Sequence, residues 1–362
     1  MPTAIASDLH LGSLAGADVA RRGEPQERLL AALGGAERVI LLGDVLELRE
    51  HPLAQALELA TPFFRRLGDA TAGRCVTLVP GNHDYQLAEP FLTRRRLEGG
   101  PLGAENEWPV QPGDGAAGRL AELMPDTELT LAYPGLRLRP DVYATHGHYL
   151  DMHLTVPRLE AIAAGAMGRI IGRSRDSRSA DDYEGALSPM YAFYARLAEG
   201  SPPERLRRGG SISRSVWQRL NQPDGEGRVG RLLLGRVTIP GAVAAINAAG
   251  LGPMSPEISG DALRRSGLRA MARVVEGLGV DARHVVFGHT HRGGPWPGDD
   301  LGDWRTASGT RLWNSGSWLH EPAFLGERPR QNPYWPGTVV TVGDSGNPEL
   351  RNAMRDLSVA GA

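Results

Sequence analysis

The chain has 362 residues, a formal net charge of −2 and 41% hydrophobic residues, which fits one large α/β domain with an insertion, or two domains. Near-neutral charge argues against a protein built mainly to coat nucleic acid, and no apolar stretch approaches the ~18 residues that span a membrane. All 40 basic residues are arginine, so every cationic contact is a guanidinium, which suits bidentate phosphate binding. The first residues, MPTAIASDLH, reach Asp8 without an apolar leader, and the single Cys75 has no partner for a disulfide within the chain. Both features lead to the expectation of a cytoplasmic enzyme.

Taken in chain order, short apolar runs predict strands at 3–7 (TAIAS), 38–43 (RVILLG), 75–81 (CVTLVPG), 141–145 (DVYAT), 284–288 (HVVFG), 311–316 (RLWNSG) and 337–343 (GTVVTVG). Helical periodicity over 52–67 puts Leu53, Leu57 and Phe64 near one face, and over 263–279 it aligns Leu268, Met271, Val274 and Val275. Residues 99–118, rich in Gly and Pro, predict a loop. Strands alternating with helices give an α/β architecture. The stretch 152–262 has no convincing strand and is broken by Gly, Pro, Ser and Asp clusters. It reads as a helical insertion, or cap, on a core formed by 1–151 and 263–350. Within it, a helix over 156–173 carries an apolar stripe, and Ser188-Pro189 predicts the start of another helix.

Five predicted strands run directly into polar residues that can bind a metal. The first leads to Asp8 and His10, the second to Asp44, the third to Asn82, His83 and Asp84, the fourth to His146 and His148, and the fifth to His289 and His291. Each motif alone is ordinary turn chemistry. Together they use six of the ten histidines, and in α/β sheets ligands collect beyond the carboxyl ends of the strands. Asp8 and His10, like His289 and His291, are two apart, so an extended chain projects each pair to one side. Asp8, His10, Asp44, Asn82, His146, His289 and His291 suffice for two ions with four protein ligands each if Asp44 bridges. Oxygen and imidazole donors without thiolate suit two divalent ions such as Mn, Fe or Zn, and disfavour an all-oxygen calcium site. Two adjacent ions can lower the pKa of a water and stabilise phosphoryl oxygens.

These motifs resemble those of the calcineurin-like metallophosphoesterase superfamily. Its pattern D-x-H, G-D, G-N-H-[DE], H-G and G-H-x-H is met at Asp8/His10, Gly43-Asp44, Gly81-Asn82-His83-Asp84, His146-Gly147 and Gly288-His289-Thr290-His291. The resemblance implies a four-layer α/β/β/α sandwich of two mixed β-sheets. It implies one metal on Asp8, His10, Asp44 and His291, and a second on Asp44, Asn82, His146 and His289. It also implies that His83, oriented by Asp84, faces the phosphate as general acid or transition-state stabiliser. SDLHLG (7–12) and GDVLE (43–47) are also similar to the UDP-2,3-diacylglucosamine hydrolases, which carry a helical insertion before the last motif. That subgroup has Arg where this chain has His83, and H-G-D where it has His146-Gly147-His148. The likeness therefore implies an architecture and not a substrate.

The expected activity is hydrolysis of a phosphate mono- or diester or diphosphate, small or amphipathic, with no stable nucleic-acid partner. The alternatives are a manganese-dependent nuclease of the same superfamily and a catalytically silent scaffold. Arginine-rich runs such as RLRRGG (205–210) suit a phosphate-bearing head group, and the stripe at 156–171, if exposed, would give the cap peripheral membrane contact. His148 either reaches the site or is a solvated loop residue. Asp151 is expected to cap a helix, with lining of a substrate pocket by it or by His153 as the alternative, and His51, His284 and His320 are expected to be surface or satisfied histidines.

Overall fold

The computed structural model describes residues 2–155, 179–200, 244, 247–248 and 260–357. Two mixed β-sheets carry the architecture. The larger has the order β11-β10-β1-β2-β3-β5-β4. In chain order these strands are β1 (Thr3–Ala6), β2 (Arg38–Leu41), β3 (Cys75–Leu78), β4 (Glu107–Pro109), β5 (Glu128–Ala132), β10 (Thr338–Val342) and β11 (Glu349–Asn352). The smaller sheet is β6-β7-β8-β9, formed by Gly135–Arg139, Val142–Thr145, His284–Phe287 and Arg311–Asn314. In the larger sheet β1, β2, β3 and β5 run parallel; in the smaller, β7, β8 and β9 do.

Side-chain alternation along the strands explains why the sheets stack. Ile5, Ile40, Leu42 and Val79 from the larger sheet join Leu136, Val142, Ala144 and Val286 from the smaller in one buried cluster between them. The intervening residues Ala4, Ala6, Val39, Leu41, Val76 and Leu78 belong to a second cluster with Leu29 and Leu33 of α1 (Gly23–Gly34) and Phe63, Phe64 and Leu67 of α2 (Leu53–Ala70). Each fully buried Leu, Val, Ile or Phe among them contributes roughly 1.5–3 kcal/mol. The outward residues Tyr143, Val285 and Phe287 of the smaller sheet are in that cluster with Met271, Val274 and Val275 of a later helix, Gly260–Gly277. The expected layering of helices on two mixed sheets is thus borne out.

All seven predicted strands form, and the helices expected at 52–67 and 263–279 appear as α2 and as Gly260–Gly277. The loop expected at 99–118 instead contains β4 and the start of α4 (Gly115–Glu122), with α3 (Glu89–Glu98) just before it. Within 152–262 the structure describes one long helix, α5 (Ala180–Gly200); the helix expected over 156–173 and RLRRGG lie outside the described residues.

The expected start at Ser188-Pro189 is not a helix start, because Pro189 lies inside α5. The helix is capped at Ser179, whose Oγ accepts from the Asp182 backbone N–H at 3.2 Å and donates to the Asp182 carboxylate at 2.8 Å. Continuity through Pro189 costs a backbone hydrogen bond, offset by the buried face Tyr183, Leu187, Met190 and Tyr191. A polar latch adds to this. Glu184 accepts from the hydroxyls of Tyr85 (2.7 Å), Tyr149 (2.7 Å) and Tyr133. Among the described residues no helix is long and apolar enough to cross a membrane.

Candidate metal centre

Parallel pairing of β1, β2 and β3, and of β7 and β8, sets the carboxyl ends of both groups at one edge of the stacked sheets. The loops leaving those ends carry the predicted ligands, and they are backbone-strained. Asp8, His10, Asp44, His289 and His291 all have positive φ, from 45° to 67°. Left-handed backbone is uncommon for residues with a Cβ and clusters at functional sites. It also corrects the extended-chain expectation: Asp8/His10 and His289/His291 converge through left-handed turns, not by alternation along a strand. The glycines of the motifs make room. A Cβ on Gly81 would lie 2.3 Å from an Asp44 carboxylate oxygen, and one on Gly288 would lie 2.5 Å from an Asp8 oxygen.

Three groups of ligand atoms result: Asp8, His10 and His291; His10, Asp44 and His83; and Asp44, His146 and His289, with all atoms in each group within 4.8 Å of one another. Around the first, His10 Nε2 lies 3.3 Å from His291 Nε2 and 3.7 Å from Asp44 Oδ2, and His291 Nε2 lies 3.4 Å from Asp8 Oδ1. Around the third, His146 Nε2 lies 3.2 Å from Asp44 Oδ2, and His289 Nδ1 lies 3.1 Å from the Asn82 amide. Ligands about 2.0–2.2 Å from one cation sit roughly 3.0–3.5 Å apart, so the spacing fits. Asp44 is in the second and third groups, and its Oδ2 lies 3.7 Å from His10 Nε2 of the first. His83 is the one predicted non-ligand that enters a group.

The outer nitrogens identify the inner ones. His10 Nδ1 is 2.8 Å from Glu47, His146 Nδ1 is 2.9 Å from the Leu42 carbonyl, and His289 Nε2 is 2.9 Å from Asp151. His291 Nδ1 faces Glu321 at 3.7 Å. An acceptor at the outer nitrogen takes the proton of a neutral imidazole and leaves the inner nitrogen as a lone pair. Four lone pairs and two carboxylates then converge, an arrangement that repels itself unless a proton or a cation lies among them. Outer partners of this kind are what orient histidines on a metal. The donor set fits two divalent cations.

Without metal, protons take the cation's part. Burial alone would lower the His146 imidazole, but the adjacent Asp44 carboxylate raises it to about 9. Burial likewise opposes charging of His291, while Asp8 and then Glu321 raise it to about 10. Both values lie above the ordinary histidine value, so these rings stabilise the metal-free fold at neutral pH and below, and that contribution is lost as pH rises through about 9 and about 10. Metal must displace those protons. Calorimetric loading at pH 7 in buffers of different ionisation enthalpy is expected to release about two protons per chain, and affinity is expected to rise with pH. Loading without proton release would contradict this protonation pattern.

His83 stands at the open side, with a quarter of its side chain exposed. Its Nδ1 lies 2.8 Å from Glu47, the carboxylate that also holds His10. Burial opposes ionisation of Glu47, but His83 and His10 hold its carboxyl well below the usual range. The ionised Glu47 therefore accepts from Nδ1 of His83, and the ring donates through Nε2 only as imidazolium; burial lowers the His83 imidazole below its ordinary value, and the Glu47 charge offsets this only in part. The expected orientation of His83 by Asp84 is not found. Asp84 instead accepts from the backbone N–H groups of Gly81 (2.7 Å), Asp44 (3.2 Å) and Val45 (2.7 Å), tying two ligand loops together. Burial, then the Asp44 charge, pushes its carboxyl up to about 6.

Two residues were not anticipated as site residues: Glu47 and Glu321. Glu47 carries a visible signal, since it falls three after Asp44 in GDVLE. Asp151, expected to cap a helix, reaches His289 instead. His148 is buried 5.7 Å from the His146 ring, with Nε2 3.0 Å from the Tyr133 hydroxyl, and joins none of the three groups. His51 and His284 are buried; His51 Nε2 bonds the Gly12 carbonyl at 2.6 Å while its Nδ1 has no hydrogen-bond partner among the described residues, and His284 Nδ1 accepts from the Trp313 indole at 3.2 Å.

No protein-family model matches the sequence, and no curated protein does. Among solved structures the chain is similar to the cold-active protein-tyrosine phosphatase of a psychrophile, Shewanella sp., at 12% identity. The alignment covers 96% of this chain and 80% of that one, with a TM-score of 0.31. The fold assignment stands on the two sheets described above, and the chain shows the mixed-sheet α/β fold and His/Asp groups that the resemblance to calcineurin-like metallophosphoesterases implies.

Proposed function

We propose that this chain is a metal-dependent phosphoric ester hydrolase acting on a small or amphipathic phosphate monoester, diester or diphosphate. One observation carries the reading: His10, His146 and His289, each hydrogen-bonded at its outer nitrogen, and His291, which faces Glu321 at 3.7 Å, turn their inner nitrogens toward Asp8 and Asp44, with Asp44 near both His10 and His146. Asp8, His10, Asp44 and His291 would hold one ion, and Asp44, Asn82, His146 and His289 the other. Two divalent ions supply Lewis acidity toward phosphoryl oxygens and acidify water. The chain's own residues do the rest. Burial lowers the His83 imidazole below its ordinary value and Glu47 opposes that shift, so the protonated fraction of His83 is the form that donates toward the departing oxygen. Asp84 and the strained loops fix the ligand side chains before any ion arrives. The manganese-loaded chain is expected to hydrolyse at least one substrate in a screen of phosphomonoesters, phosphodiesters, nucleoside diphosphate conjugates and lipid phosphates. No turnover in any class, with the ions bound, would contradict the reading.

A further inference from the structure

Helix α5 turns a polar strip toward the metal centre. Glu184 and Tyr191 are seven residues apart and so share a helix face. Around this strip the phenols are served: Tyr85, Tyr133 and Tyr149 donate to Glu184, and Tyr183 bonds His153 Nε2 at 2.7 Å. The Tyr191 hydroxyl is different. Its side chain is buried, 3% exposed, and the hydroxyl has no hydrogen-bond partner among the described residues. Buried polar groups nearly always have one, so each exception calls for a cause.

The surroundings of Tyr191 suggest that cause. The Arg49 guanidinium carbon lies 5.8 Å from its ring centroid, and Arg49 Nε donates to the Asn82 carbonyl at 3.2 Å. The Tyr191 and His148 rings are 5.7 Å apart. Burial, and next the nearby Asp151 carboxylate that holds His289, keep the phenol protonated. A neutral O–H donor therefore sits by a guanidinium that bonds one proposed ligand, Asn82, and near the carboxylate that bonds another, His289. Donors of this kind next to a cation centre suit an oxyanion.

We propose that Tyr191 is a substrate-binding residue supplied by α5, its hydroxyl donating to an oxygen of the phosphoryl group at the metal centre, beside Arg49. The proposal rests on the phosphoesterase reading above. His148 is the competing partner. Tyr133 spends its proton on Glu184, so it accepts from His148 Nε2, and His148 Nδ1, also without a partner among the described residues, is left as an acceptor. A small shift could join Tyr191 to that nitrogen instead.

The test uses the full chain loaded with zinc, with inorganic phosphate as the probe. Tyr191→Phe keeps the ring contacts and removes only the hydroxyl. Calorimetry is expected to show phosphate bound about tenfold more weakly than by the wild type, with zinc content unchanged. In wild-type protein labelled at tyrosine Cζ, phosphate is expected to shift a tyrosine resonance, a readout that does not depend on the variant folding. Equal phosphate affinity in the two proteins, or tyrosine resonances that ignore phosphate, assigns the hydroxyl to His148 and overturns the proposal. A zinc-loaded wild type that binds no phosphate overturns the phosphoesterase reading itself, and the proposal with it.

Discussion

Asp44→Asn is expected to lower turnover by at least ~10³-fold, with metal content falling below two ions per chain. The Asp44 carboxylate is the one that faces both sides of the centre, 3.2 Å from His146 Nε2 and 3.7 Å from His10 Nε2. Asparagine keeps the shape and tolerates the left-handed backbone at this position, where φ is 50°. It also retains an oxygen that can accept from the His83 backbone N–H, now 2.8 Å from Asp44 Oδ1. The fold should therefore survive while the shared negative charge is lost. Metal analysis and steady-state kinetics on the same preparation check the prediction; near wild-type turnover with two bound ions would contradict the bridging role.

The second large effect separates binding the ions from handling the proton. His83→Asn is expected to reduce kcat by about 10²–10⁴-fold while both ions remain. Glu47→Gln is expected to do something else. Its carboxylate holds His83 Nδ1 and His10 Nδ1 together, each at 2.8 Å, so its loss weakens metal affinity by about 10–100-fold and lowers kcat as well. Titrating metal into each variant and measuring kcat at saturation distinguishes the two. If His83→Asn lost an ion, His83 would be a ligand, as its place beside His10 and Asp44 permits.

The legible parts of the fold share a physical cause. Strands β1, β2, β3, β7 and β8 are buried on both faces and so appear as continuous apolar runs such as TAIA and HVVF. The four missed strands, β4, β5, β6 and β11, are partly exposed; GLRLR in β6 and ELRN in β11, for example, alternate charged with apolar residues. The turn at Ser179 was hidden by the more conspicuous Ser188-Pro189, and the packed face of α5 overrode the proline.

At the site, all seven predicted ligands lie at one edge, because each follows directly on a strand end and parallel pairing does the rest. What the chain order could not reveal is the outer layer. Glu47 lies 37 residues from His10, and Asp151 lies 138 from His289, so only the folded backbone brings them together. The left-handed turns at Asp8 and His10 were equally invisible, since neither residue is a glycine and nothing in DLH marks the strain.

The most direct test of a two-ion centre is an anomalous-scattering map from crystals of the manganese-loaded wild-type chain. Two peaks about 3.5–4 Å apart are expected, one against Asp8, His10 and His291, the other against Asn82, His146 and His289, with Asp44 between them. A single peak, or two peaks that Asp44 does not join, would contradict a centre bridged by Asp44.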